Sequence, residues 1–580
     1  MRLGFYLPCA VLAALALHGC GSKDAPAEGI DPVKAKRIEP VAITGPAPDG
    51  MKKRSQASAV PSDQVKVDPA NADRKKQRDQ KSTERKKKKA EKKKQREEQA
   101  AQAATESEQA MSSLPPMPTG PYTNVLLITI DTMRADRMSC YGASRETTPT
   151  IDSVAKEGMI FDNAFAQRNS TWPSLATIMT SQYPIQHGVR HNGLRMSDEL
   201  LTLAEHLGKH DYTSVAVFAN ATSQNWEGFQ FRYPIDQTPV DERATHGAVK
   251  WLNEHKGRKF FMWLHYLAPH ADYMPPAEFQ KFNSPGYKGP IDGSKESVGN
   301  ASLRRFDVTP ADVQQVLDLY DGELLYVDNE IKKVLDVLKE QGVYDTTLVM
   351  ISADHGEELN DHHDYYGHGA SIYDGVLRVP LIARLPNVIP AGKRDATIVQ
   401  HLTIAPTICE VAGVPVPESF VGKSLMPLAR GEKVDYGPAY AEMKDEILTV
   451  RTAEYKFVAN PFGHKPRKLN VERRRQVGID RAGNELAEAE NDGDVDTSQV
   501  DPELLVMQLK EQELYHVATD RLEQKELASE KPDVVTEMKK HITAFQEKYN
   551  WRFGHEVDER VQKEVAPELR QELEAMGYVM

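Results

Sequence analysis

The sequence predicts an α/β fold: a central, mostly parallel sheet covered by helices on both faces, with a small C-terminal subdomain. Three observations predict it. Continuously apolar, β-branched runs mark strands buried on both sides. Stretches of helical periodicity separate those runs. Each run ends in polar residues, which is where ligands gather in parallel sheets. The 580 residues, 40% hydrophobic and 27% charged, suffice for one large domain with elaborations or for two domains.

The folded body opens at Asn124. Residues 125–130, VLLITI, read as a buried strand that ends in Asp131. ELLTLAEHLGKHDYTSVAVFAN reads as a helix, a second buried strand and a polar end at Asn220. RKFFMWLHYLAPH is a further strand, carrying His265, that runs into a loop carrying His270. The segment from Ala311 to Gln341 has apolar residues at three- and four-residue intervals and predicts a long amphipathic helix, stopped by Gly342. TTLVMIS feeds a strand into Ala353, Asp354 and His355, and RVPLIARLP supplies one more. Helices near 531–549 and 559–576 are expected to pack on the body or to form an appended unit.

The N-terminus is of another kind. Residues 1–20 hold one arginine, a short apolar stretch and small residues before a cysteine, the layout of an export signal. Leu17-His18-Gly19-Cys20 resembles a bacterial lipobox, which implies lipidation of Cys20 as the first mature residue. Gly21 carries no inner-membrane retention signal and points to the outer membrane of a bacterial envelope, facing the periplasm or the exterior. Cys140 and Cys409 would remain, free or paired. Residues 21–120 are poor in large apolar side chains and predict a disordered or partly helical linker. Residues 51–100 hold 18 Lys/Arg against 8 Asp/Glu, a local +10 inside a net charge of −12. The rest of the chain sums to −22, which argues against nucleic acid as a partner. The basic stretch reads as a spacer, or as a surface attracted to anionic lipid or polysaccharide. No apolar run past the N-terminus approaches the ~20 residues that span a bilayer.

Asp131, Asp354, His355 and His368 carry the chemical argument. A parallel sheet can bring two distant strand ends together, and clustered buried carboxylates repel unless a cation compensates them. Such ligands suit zinc, manganese or, with more oxygen, calcium and magnesium. Each residue also has a plain alternative. Asp131 could cap a helix beginning near Met133, Asp354 could bond a turn, and His368 could be surface material. NSTWPSLATIMTS, residues 169–181, is the second constellation. A hydroxyl at a helix N-terminus sits among free N–H groups that also bind anions, and a metal would lower its pKa to give a nucleophile. The alternative is that Ser170 or Thr171 caps a helix starting near Ser174, with Pro173 in its first turn.

The ordered segments ITIDTMRADRMSCYG, STWPSLATIMTSQYPIQHGV, FFMWLHYLAPHADYMPP, YDGELLYVDNEI, TTLVMISADHGEEL, GHGASIYDGVLRVPLI, TIAPTICEVAGVPVP, GKSLMPLARG and ELYHVATDRLEQKEL closely resemble the sulfatase-like branch of the alkaline phosphatase superfamily. The likeness covers about 123–460 and resumes near 513. It implies an alkaline-phosphatase-like α/β/α body. It also implies a metal site of Asp131, Asp354 and His355, and a nucleophile position at Thr171, which would itself join the metal. His270 matches a residue that contacts the substrate anion or protonates the leaving oxygen, and His368 one that ligates a second metal or the substrate. Arg134 could brace the site or pair with a carboxylate such as Asp136. His265 reads as a possible further ligand or a satisfied residue at a strand edge, His187 as structural, and Asp361, His362, His363 and Asp364 as exposed.

Departures from the family pattern matter as much. Thr171 stands where sulfatases place the cysteine or serine that becomes formylglycine, and Leu175 where an arginine steadies it. Thr132 replaces a second metal-binding aspartate, Ala268 replaces an aspartate before the proline-histidine pair, and Asn220 is the local polar group where sulfate-binding Lys and His are missing. These changes favour threonine catalysis of the kind seen in phosphodiesterase, phosphonate hydrolase and phosphoethanolamine transferase relatives.

The resulting division is a lipoprotein signal peptide at 1–20, a basic linker at 21–120, a sulfatase-like catalytic domain at 121–460, a flexible charged insertion at 461–512 and a C-terminal part at 513–580 that completes the body. The expected activity is metal-dependent hydrolysis of a sulfate or phosphate ester, with one or two Ca, Zn, Mn or Mg ions. The expected partners are an anionic ester, on a glycan or lipid headgroup, and the membrane through the N-terminal lipid. Phosphoethanolamine-type transfer to a surface glycan and a non-catalytic glycan-binding lipoprotein are the rivals.

Overall fold

The computed structural model describes residues 123–219, 228–234, 240–302, 304–363, 365–444, 446–462, 509–554 and 563–564. Expectations for the signal peptide with Cys20, the linker, Asn220, Asp364 and most of the charged insertion fall outside these residues.

Nine strands form the main sheet: β1 (Asn124–Ile130), β2 (Met159–Phe165), β3 (Thr213–Phe218), β4 (Phe231–Pro234), β5 (Phe260–Tyr266), β6 (Thr347–Ala353), β7 (Arg378–Val379), β8 (Leu381–Arg384) and β9 (Lys393–Gln400). Across the sheet the order is β9, β2, then β7 and β8 in line, β6, β1, β5, β3, β4. Pairings among β6, β1, β5, β3 and β4 are parallel, as is β2 with β9, and only β7 and β8 run against their neighbours. Pro380, with no N–H to give a ladder, separates β7 from β8, and its carbonyl takes the Ser352 hydroxyl at 2.8 Å. Val125, Leu126, Leu127, Ile128 and Ile130 are all buried, so β1 is covered on both faces as its unbroken apolar run requires.

Helices α1 (Pro149–Glu157), α2 (Thr171–Thr180), α3 (Val240–Glu254), α4 (Pro310–Glu340) and α5 (Pro532–Tyr549) include the ones that frame the site. α4 is the long predicted helix, packed against α1 and α3. Thr309 caps it by accepting from Asp312 N at 3.3 Å while the Asp312 carboxylate takes Thr309 N at 2.8 Å. Gly342, at φ +69°, turns the chain out of it.

A second, antiparallel sheet joins β10 (Ala439–Met443), β11 (Ile447–Arg451), β12 (Lys456–Ala459) and β13 (Gln512–Tyr515) in that order. α5 buries Val535, Met538, Ile542 and Phe545 in one cluster with Leu448, Val450, Phe457 and Leu514. Asn460 N donates to Glu511 O at 2.8 Å, so the chain leaves β12 and re-enters β13 at adjacent points. Lys456 lies 2.9 Å from Asp374 and 2.7 Å from Glu523, a buried ion triad that ties this sheet to the short helix, Asp374–Leu377, before β7.

Several local expectations are corrected. No α-helix begins near Met133: a turn is followed by two short 3₁₀ turns, Ala135–Arg137 and Ser139–Tyr141, and Arg134, not Asp131, holds the cap position of the first. α2 begins at Thr171, three residues before Ser174. Pro173 is tolerated because the first four N–H groups of a helix have no partner within it. Lys563–Glu564, inside the predicted terminal helix, instead pair as a strand with Leu194–Arg195. Cys140 and Cys409 are free thiols. Among the described residues no helix is long and apolar enough to cross a membrane.

Candidate active site

β1 lies between β5 and β6, with Thr129 opposite His265 and Ile130 opposite Ala353. Parallel neighbours end level with each other, so Asp131 and Asp354 leave the sheet side by side, and both are fully buried. Asp131 N donates to Tyr266 O at 2.9 Å and holds its residue at the end of the ladder. Asp354 Oδ1 accepts from His355 N at 2.7 Å and from Thr132 N at 3.2 Å, whereas Oδ2 accepts from no donor. Burial pushes the Asp354 carboxyl up to about 7, against the pull of those N–H groups.

His355 Nδ1 lies 2.9 Å from Gly356 O, an acceptor, so the proton belongs on Nδ1 and Nε2 presents its lone pair. That Nε2 is 3.5 Å from Asp354 Oδ2, 4.0 Å from Asp131 Oδ1 and 3.5 Å from Thr171 Oγ1. Burial and the neighbouring His368 hold the His355 imidazole well below the ordinary histidine range. Gly356 is required for this turn: a Cβ there would stand 2.2 Å from Gly375 O.

The residues fit a cation. A buried acceptor-only oxygen with no donor, beside a second carboxylate and an imidazole lone pair, is the donor set of a divalent-metal site. Among the described residues, one group of three acidic or imidazole side chains brings ligand atoms within 4.8 Å of one another, and it is Asp131, Asp354 and His355.

Thr171 arrives as the first residue of α2, where Pro173 has no N–H and the Ser174 N–H is taken by Ser170 O at 3.3 Å. Ser170 holds the cap position in extended conformation but makes no side-chain cap bond, and Thr171 Oγ1 faces His355, so the capping alternative fails for both hydroxyls. His187 is the buttress behind this helix. Its Nδ1 accepts from Val189 N at 3.1 Å, so Nε2 carries the proton and lies 3.1 Å from Thr177 Oγ1, which itself donates to Pro173 O at 3.0 Å. Burial lowers His187 to about 3. Asn192 Oδ1 accepts from Trp172 N at 2.9 Å and fixes the next residue of the turn.

A row of rings completes the pocket. His355 and His368 have centroids 4.4 Å apart, and His368 and His270 are 5.3 Å apart. His368 Nδ1 meets Glu357 Oε1 at 2.9 Å, which leaves its Nε2 for the site, and His270 Nδ1 meets Ala271 O at 3.0 Å. Burial, with the charge of Lys295 and the neighbouring rings, holds His270 well below the usual range. His265 is interior to the sheet and not at an edge. Its Nδ1 is 2.8 Å from Thr129 Oγ1, its Nε2 is 3.9 Å from Asp131 Oδ2, and burial lowers it to about 3.

Arg134 braces the loop after Asp354 by donating to Glu357 O at 3.0 Å while ion-pairing with Asp136 at 2.7 Å and with Asp361. Asp361 is therefore largely buried, contrary to expectation: burial pushes its carboxyl up, Arg134 overrides this, and it settles at about 2. His362 also leaves the surface, stacked on Tyr373 with centroids 3.7 Å apart, while His363 is exposed as predicted. Sequence reasoning missed Glu357, Asn169 and Tyr320. Asn169 Nδ2 donates to His368 O at 3.1 Å and Ser371 O at 2.8 Å, and Tyr320 bonds Thr132 O at 2.7 Å and Arg134 N at 2.9 Å. The acidic pair directly after DHG was the available signal for Glu357.

A family model described as Sulfatase matches residues 123–414. An ulvan-active sulfatase of Formosa agariphila is 26% identical over 355 residues, spanning 58% of this chain and 66% of that protein. An N-acetylglucosamine-6-O-sulfatase of Bacteroides thetaiotaomicron is 23% identical over 398 residues, spanning 53% of this chain and 71% of that protein. Among solved structures, the phosphonate monoester hydrolase of Agrobacterium radiobacter superposes with a TM-score of 0.57 at 19% identity, covering 77% of this chain and 100% of the other. A structure in complex with its substrate D-glucosamine-2-N,6-O-disulfate gives 0.57 at 20% identity, covering 74% and 98%. Both likenesses establish the alkaline-phosphatase-like architecture of the body.

Proposed function

The chain belongs to the sulfatase family, and on that premise we propose that it hydrolyses a sulfate or phosphate ester with Thr171 Oγ1 as the nucleophile. The observation that carries this reading is the convergence of the Thr171 hydroxyl, His355 Nε2 and the carboxylates of Asp131 and Asp354 at the ends of two adjacent strands. A divalent cation held by Asp131, Asp354 and His355 would lower the pKa of the Thr171 hydroxyl and offset charge on a nonbridging ester oxygen.

The chain's own residues do the rest. Thr171 Oγ attacks sulfur or phosphorus, forms an Oγ–S or Oγ–P bond and breaks the bond to the leaving oxygen. The Thr171 N–H, on the first turn of α2, faces the anion; the Trp172 N–H is taken by Asn192, the Ser174 N–H by Ser170 O, and Pro173 has none. His270 contacts the anionic group, and His368, whose Nδ1 hydrogen is held by Glu357, accepts at Nε2 the proton that leaves Thr171 and passes it to the leaving oxygen. Water then cleaves the ester on Thr171 and restores the hydroxyl. The formylglycine route is closed to this residue, because oxidising a carbon that already bears a methyl gives a ketone. No formylglycine-generating enzyme is expected to act on it.

The substrate is an ester on a surface glycan or a lipid headgroup, which the sulfated-glycan names of two relatives support. Lipidation of Cys20 would hold the enzyme at the outer membrane, with the basic stretch as spacer. Mass spectrometry of the mature N-terminus tests the anchor. The activity is tested by elemental analysis of the purified protein together with a panel of aryl sulfate, phosphate monoester, phosphodiester and phosphonate monoester. Bound divalent metal and hydrolysis of at least one probe are expected. Metal-free protein that cleaves none, even after metal is added, overturns the reading.

A further inference from the structure

We propose that two buried carboxylates, Asp241 on α3 and Glu323 on α4, act as positioning residues that clamp opposite ends of the loop carrying His270. Asp241 Oδ1 accepts from Leu267 N at 2.7 Å and Oδ2 accepts from Ala268 N at 3.3 Å, at the point where the chain leaves β5. Glu323 Oε1 accepts from Met274 N at 2.8 Å, where the same loop turns away. Both acids are buried, 5% and 6% exposed, and neither touches the ring row or the carboxylates of the metal-type cluster through any bond described above. Two separate helices thus hold the loop on either side of His270.

The chain just past the Met274 anchor is pressed onto α4. A Cβ on Gly322 would lie 2.7 Å from Pro275 Cγ and 3.1 Å from Phe279 O, so only glycine permits the approach that brings Glu323 to Met274. Tyr273 is fully buried, its ring 5.8 Å from that of Tyr320, and its N–H donates to Gly293 O at 2.8 Å. Tyr320 in turn bonds the Thr132 carbonyl next to Asp131. α4 therefore references both the His270 loop and the Asp131 turn to one rigid element. Burying a carboxylate costs several kcal/mol unless it is compensated. Two such groups, each spent on backbone N–H groups of a single loop, point to placement of that loop as what they secure.

The inference rests on the proposed role of His270, and its test separates the two. Asp241→Asn and Glu323→Gln are made in the full chain, alone and combined with His270→Ala. Asp328→Asn is the control, because Asp328 is a buried carboxylate of α4 that holds Thr150 N at 2.9 Å and Ile151 N at 2.8 Å, away from the His270 loop. With 4-nitrophenyl sulfate and 4-nitrophenyl phenylphosphonate as probes, each clamp variant is expected to lose about 100-fold in kcat, with KM changed less. Each double variant is expected to be no slower than His270→Ala alone. In ¹⁵N-histidine spectra the His270 ring signal, assigned by its loss in His270→Ala, shifts in both clamp variants and stays in Asp328→Asn. Additive losses in the double variants, or a His270 signal unmoved by the clamp substitutions, overturn the proposal. If the wild-type chain cleaves neither probe, the hydrolytic reading fails while the ring signal still decides the clamp. If Asp241→Asn does not fold, Glu323→Gln tests the other anchor.

Discussion

Thr171 Oγ1 lies 3.5 Å from His355 Nε2, although 184 residues separate the two in the chain. One comes from the first turn of a helix and the other from the loop after a central strand. Because His355 commits its Nδ1 hydrogen to Gly356 O, the nitrogen facing the hydroxyl is an acceptor. The hydroxyl therefore faces an imidazole lone pair and not an N–H.

Thr171→Ala is expected to remove hydrolysis by on the order of 10³-fold or more while leaving fold and metal content largely intact. Thr171→Ser keeps the hydroxyl and is expected to retain most of the lost rate. Steady-state rates with circular dichroism check both. Full activity in the alanine variant would sink the nucleophile assignment.

Metal removal has a pH-dependent cost. In the ion-free protein burial raises Asp354 from its ordinary value to about 7. A carboxyl raised on folding contributes stability at low pH that is lost as pH climbs from about 4 through 7. The bound ion reverses this by favouring the carboxylate. The gap in Tm between metal-loaded and metal-free protein is thus expected to be small at pH 5 and large at pH 8. An equal gap at both values would contradict a role for Asp354 as ligand.

Asp361 behaves in the opposite sense. Arg134 depresses its carboxyl to about 2, so the ion pair contributes above about pH 4 and is lost as pH falls toward 2. Asp361→Asn is expected to destabilise by about 1–3 kcal/mol at pH 7, less than a fully buried pair because the side chain is 20% exposed. Urea unfolding of variant and wild type should converge near pH 2.

Glu357→Gln replaces the acceptor that fixes the His368 tautomer at 2.9 Å. Loss of such an orienting partner typically costs about 10–100-fold. The prediction is a fall of that size in kcat with a smaller change in KM and an unchanged Tm. A variant with wild-type kcat would remove His368 from proton transfer.

Much of the fold was legible because strand and helix periods are local properties. VLLITI, FFMWLHY and TTLVMIS became the three central strands, and Gly342 ended the long helix as read. Local reading failed where a distant partner decided the outcome. Asp361 and His362 look like surface residues within DHHDYYGHG, but Arg134 and Tyr373 cover them. His187 is ambiguous in QHGV until Thr177 and Val189 take its two nitrogens. Neither Asp241 nor Glu323 differs in sequence from any charged helix residue, because their acceptor role depends on where the β5 loop lands.

The sequence by itself determined the strand-helix alternation, the polar strand ends and, through its family motifs, the candidate side chains of the site. Hydrophobic periodicity and motif order need no partner from elsewhere in the chain. Tertiary structure alone decided that β1, β5 and β6 are neighbours, and so that Asp131, Asp354, His355 and Thr171 share one point. Strand order is a global solution to burying every apolar face at once, and no stretch of residues encodes it alone.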